Sequence, residues 1–126
     1  MRFMMLVKSS EKFRDGFPPK ALMDAIGELA AKASADGTMI DTGGLAPSAK
    51  GARVRQAGGK ITVIDGPFTE AKEIVGGYAV FELPSREAAI ESARIFMELH
   101  LKHWPEWEGE TEVRPYLAPE DFMPRG

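Results

Sequence analysis

The chain has 126 residues, enough for one domain with its own hydrophobic core. A net charge of −3 gives no basic excess to draw nucleic acid or an anionic membrane, so no nucleic acid and no membrane are expected as partners. The absence of cysteine excludes disulfides, thiolate nucleophiles and Cys-ligated zinc or iron–sulfur sites.

The N-terminal stretch Met1–Lys8 reads as a first strand. Phe3, Met5 and Val7 would share one face, with Met4 and Leu6 on the other, which suits a central strand covered on both sides. The apolar run before Lys8 is shorter than a signal-peptide core or a bilayer span, so a cytoplasmic protein is expected. Ser9–Phe17 is a polar loop. Pro18-Pro19 opens a helix, along which Leu22, Ile26, Leu29 and Ala33 form an apolar stripe. Gly37 closes it as a left-handed cap.

Thr38–Leu45 is a second strand, and Ala46–Gly51 a loop. Ala52–Gln56 and Lys60–Ile64 flank Ala57-Gly58-Gly59, a hairpin signal. After the loop DGPFTEAKE (65–73) comes a strand near Gly77–Leu83. Ser85 is the natural N-cap of a second helix running to about Lys102, and Glu110–Tyr116 alternates as a last strand. Residues 118–126 form a Pro-rich tail. The order β-α-β, hairpin, β-α-β predicts an α+β fold: a ferredoxin-like antiparallel sheet with two helices on one face plus an extra hairpin. No further element remains to cover the other face. A homodimer packing sheet on sheet is therefore expected.

DGPFTEAKE followed by VGGY (75–78) resembles the signature of the YCII-related, or DGPF-domain, family. RFMMLV, VRQAGGKITVIDGPF and EVRP (112–115) stand in the order that family shows, so the resemblance spans residues 1–117. HLKHWPEWEGETEVRP (100–115) is similar to a variant within the DGPF group. The resemblance implies a dimeric α+β barrel built from ferredoxin-like subunits. It also implies, for many members, association with an extracytoplasmic-function sigma factor. The YCII branch pairs a His with an Asp. The Asp corresponds to Asp65, but no His precedes residue 100 here, so the branch's early His is missing.

Asp65 therefore has two readings. Its carboxylate can accept backbone N–H groups of its own turn. Alternatively it stands at a cleft mouth as a general base or as the orienter of a His. At one hundred degrees per residue, Ala89, Ala93, Phe96 and His100 form one stripe of the second helix, and Ile90, Met97, Leu101 and Trp104 the next. His100 falls within the apolar arc and is the candidate partner of Asp65. Phe68, Glu70, Glu73, Trp104, Arg53 and Arg55 are candidate ligand-binding residues. Arg53 and Arg55 share one hairpin face, where they would bind an anion or simply charge an exposed edge. His100-x-x-His103 fixes no third metal ligand, and neither glycine pair has nucleotide-loop spacing, so no metal and no cofactor are expected. Two functions remain open. One is a cleft that takes a small organic ligand, with Asp65 and His100 moving a proton. The other is a non-catalytic ligand-binding or interaction module.

Overall fold

The computed structural model describes residues 1–13 and 18–122; the remainder of the expected first loop and the end of the expected tail lie outside the described residues. Strands β1 (Arg2–Ser9), β2 (Met39–Gly44), β5 (Ile74–Glu82) and β6 (Gly109–Pro115) form one antiparallel sheet in the order β2-β5-β1-β6. Helices α1 (Lys20–Ala35) and α2 (Arg86–His103) follow β1 and β5. That is the ferredoxin-like arrangement. Between β2 and β5, strands β3 (Ala52–Ala57) and β4 (Lys60–Asp65) make a separate two-stranded hairpin.

The first strand is central, between β5 and β6, as its two apolar faces predict. Phe3 and Met5 are buried with Ala89 and Ala93 of α2, and Phe81, Leu83 and Val113 pack around them. The register agrees, since Phe81 lies opposite Phe3 and Val113 opposite Met5. Burying a Phe or Met side chain contributes roughly 1.5–3 kcal/mol, so this small cluster fixes α2 on the sheet. On the second predicted stripe of α2, Ile90 and Leu101 are exposed, so the apolar arc is narrower than the spacing suggests.

Both helices end as their sequences predict. The Ser85 hydroxyl accepts the Ala88 N–H at 3.1 Å and caps α2. Gly37 takes a φ of 81° directly after the C-cap of α1. At the hairpin tip Gly58 and Gly59 both have positive φ, as a type I′ turn requires. The hairpin register pairs Val54 with Val63 and Gln56 with Ile61, placing these side chains on one hairpin face. Val54, Ile61 and Val63 are 70%, 66% and 67% exposed. The sheet face opposite the helices carries Met4, Leu6, Tyr78 and Val80, with the ion pairs Arg2–Glu82 and Lys8–Glu112 beside them. No helix among the described residues is long and apolar enough to cross a membrane.

Candidate functional site

The DGPF loop is built by close packing. An added Cβ on Gly66 would meet the Ser48 carbonyl oxygen at 1.7 Å, so only glycine lets the loop lie on the 3₁₀ turn Ser48–Lys50. The Gly66–Pro67 peptide is cis. The turn amides do not go to the Asp65 carboxylate. Gly66 N–H donates to the Gly51 carbonyl at 2.9 Å, and Phe68 N–H donates to the Ser48 hydroxyl at 3.0 Å. Ser48 is 5% exposed and fully engaged: its hydroxyl donates to Glu11 Oε2 at 2.7 Å and its N–H to Glu11 Oε1 at 2.6 Å. Asp65 itself is exposed and makes no side-chain hydrogen bond among the described residues.

Three candidate residues come together here. The Arg53 guanidinium lies over the Phe68 ring, 3.9 Å from its centre, and pairs with Glu70. Glu70 is held below the usual carboxylate range by its own backbone amide and by Arg53. Arg53 is thus already committed to a cation–π contact and an ion pair within the chain. Arg55 shares its hairpin face, as the alternation predicts, and is exposed. Glu73 stands near enough to the Lys8 ammonium to help raise its pKa, though Glu112 is the main cause.

His100 sits elsewhere. It is 8% exposed, with its ring 4.8 Å from Phe96 in an edge contact and 4.4 Å from Trp107 in a tilted stack. Nδ1 is 3.0 Å from the Phe96 carbonyl oxygen, which can only accept. This assigns the neutral ring its Nδ1–H tautomer and leaves Nε2 as an acceptor. Burial pushes the imidazole below its ordinary pKa, opposed by the Phe96 carbonyl. The shallow pocket beside it is lined by Met97, Leu101, Trp107 and Thr111, with Glu108 and Glu110 among its polar groups. Asp65 does not line that pocket, and no hydrogen bond joins the two candidates among the described residues. Trp104 is the C-cap residue of α2; its N–H donates to the His100 carbonyl at 2.7 Å. Among the described residues no three His, Asp or Glu side chains gather as a metal set.

A second, more apolar feature lies between the helix layer and the sheet. A cavity of about 430 Å³ is walled by Val7 and Met5 below, Ile26 and Leu29 on α1, and Ile95 and Phe96 on α2. Small residues make its space: Ala30, Ala33, Gly77, Ala79 and Ala88 all line it. Lys32, Asp36 and Glu91 are exposed members of its lining. None of these residues carries a motif. Periodicity identifies Ile26, Leu29 and Ala33 as inward-facing but cannot say that the stripe faces a space rather than a packed neighbour. The usable signal is the run of Ala and Gly at inward positions of both helices and β5, which supplies too little volume to fill the layer.

A search of curated proteins returned no significant match. The profile of the YCII-related domain matches residues 1–95, well over half of the chain. The match takes in the DGPF loop, the hairpin and the cavity-lining residues of α1, whereas His100, Trp107 and Thr111 lie beyond it. On this match, together with the ferredoxin-like sheet, the chain belongs to the YCII-related domain family.

Proposed function

We propose that the protein binds a small, mainly apolar organic molecule in the cavity between its helices and its sheet. The cavity itself carries this reading: about 430 Å³ falls within the usual range of ligand sites, and its walls are largely aliphatic and aromatic. An apolar space of that size forgoes dispersion contacts along its whole lining, and an apolar guest restores them. Asp65 lines neither this cavity nor the pocket beside His100, so the reading stated is binding rather than proton transfer.

A homodimer belongs to the same proposal. The half-buried Met4, Leu6 and Tyr78 of the sheet face opposite the helices and the bare hairpin face of Val54, Ile61 and Val63 supply apolar surface for a second copy.

The test is uptake of N-phenyl-1-naphthylamine, a neutral fluorophore that brightens in apolar sites, by wild type and by Ala33→Leu. Ala33 lines the cavity, and the added branch would fill part of it. Saturable uptake by wild type that falls at least several-fold in the folded variant supports the site. Equal uptake by both places the probe elsewhere and removes the reading.

A further inference from the structure

One residue of the cavity lining holds a buried polar atom with no partner. Thr111, on β6, lies opposite Val7 of β1 and shares the helix-facing side with Val113 and Met5. Its Oγ1 is buried and has no hydrogen-bond partner, the one such side-chain atom among the described residues. The other hydroxyls nearby are largely engaged. Thr42 donates to the Tyr78 carbonyl at 3.0 Å, and Thr38 donates to Asp36 at 2.7 Å. Ser92, on α2, is only half-buried. Lys32, Asp36 and Glu91 are exposed.

An unpaired buried hydroxyl costs roughly 1–3 kcal/mol, and Val would fill the same volume without that cost. Thr111 also lines both the cavity and the pocket beside His100. A staggered rotation about χ1 re-aims the hydroxyl without moving the strand, so a ligand oxygen in the cavity can recruit it. The hydroxyl both donates and accepts, so it pairs with a carbonyl, ester, lactone or alcohol oxygen. A charged head group beside Thr111 would be buried against the apolar walls, which is disfavoured, whereas the charged members of the lining, Lys32, Asp36 and Glu91, are exposed.

We infer that Thr111 is the specificity-determining residue of the cavity and that its ligand is an apolar molecule carrying one neutral oxygen function. This rests on the cavity being a ligand site, and it adds which class of molecule the site prefers. The experiment compares 2-acetylnaphthalene with 2-ethylnaphthalene, which lacks the oxygen, by calorimetric titration of wild type, Thr111→Val and Thr111→Ser. Wild type should bind the ketone about three- to tenfold more tightly than the hydrocarbon, the size of one net hydrogen bond. Thr111→Val should lose that preference while still binding the hydrocarbon, which also reports an intact cavity; Thr111→Ser should keep it. Hydrocarbon and ketone binding that are equal in wild type, or weakened together by Thr111→Val, overturn the inference and leave the cavity reading standing. Failure of wild type to bind either probe overturns both.

Discussion

Ser48→Ala removes one oxygen from the most densely bonded point of the DGPF loop. Ser48 Oγ donates to the Glu11 carboxylate at 2.7 Å and accepts the Phe68 N–H at 3.0 Å, in a residue only 5% exposed. The bond to a charged acceptor is worth roughly 1.5–3 kcal/mol, and the amide bond about 1 kcal/mol. The variant leaves the Phe68 N–H without its acceptor and Glu11 with one donor fewer, so the loss should be about 2–4 kcal/mol. With a urea dependence of roughly 2 kcal/mol/M, the midpoint should fall by about 1–2 M. Hydrogen exchange supplies a local reading: the Phe68 amide should lose protection even under conditions where the sheet amides do not. A midpoint shift below about 0.3 M with unchanged Phe68 exchange would refute the latch, because those two bonds would then contribute nothing net.

Gly66→Ala should be harsher still. Its new Cβ would sit 1.7 Å from a backbone oxygen, so either the loop or the Ser48 turn must move, at roughly 4 kcal/mol or more; thermal melting reads this, and a Tm within a few degrees of wild type contradicts the packing. Burial of His100 has a pH consequence. Its folded pKa lies below 6.5, so between that depressed value and 6.5 the unfolded chain binds more protons. Stability from this group is full above 6.5 and is lost as pH falls through the window; denaturant titrations should show the rise with pH in wild type and its absence in His100→Gln. For the dimer, light scattering should give twice the chain mass for wild type, and Val63→Lys, on the bare hairpin face, should shift the protein toward one chain mass while it remains folded. A wild-type mass of one chain at micromolar concentration would sink the proposal.

Much of the fold is legible in the residues because its signals are local. The Ser85 cap, the Gly37 stop and the Gly58-Gly59 turn each act within a few residues, and each forms as read. The central place of β1 is legible too, since both its faces are apolar. The site is less so. Ser48 is the anchor of the DGPF loop, yet it stands 18 residues before Gly66 in an unremarked Ala-Pro-Ser turn, and its other partner, Glu11, is 37 residues earlier. Long-range contacts of this kind leave no periodicity. Of the two readings of Asp65, the turn reading rests on Asp being the usual acceptor of such amides, but a carbonyl and a hydroxyl from the neighbouring turn accept the Gly66 and Phe68 amides instead. The cavity is invisible for a different reason: it is defined by volume that small residues fail to fill, and sequence patterns mark direction rather than volume.

The motif can now be divided by what each member does. Gly66 permits contact with the Ser48 turn. Phe68 gives its amide to Ser48 and its ring to Arg53. The Asp65 side chain has neither burial nor a hydrogen-bond partner among the described residues, although the residue closes the hairpin opposite Ala52. If stability alone governed the motif, Asp65→Asn would be the cheapest change in it. Its expected effect is within about 0.5 kcal/mol, as for other surface positions without special contacts, whereas Gly66→Ala is costly. Denaturant unfolding of the two variants side by side tests this division. A loss above about 1 kcal/mol in Asp65→Asn would mean that the carboxylate has a structural partner within the chain or across a dimer interface. Repeating the unfolding at several protein concentrations separates these cases, because only a partner on a second copy makes the loss depend on concentration.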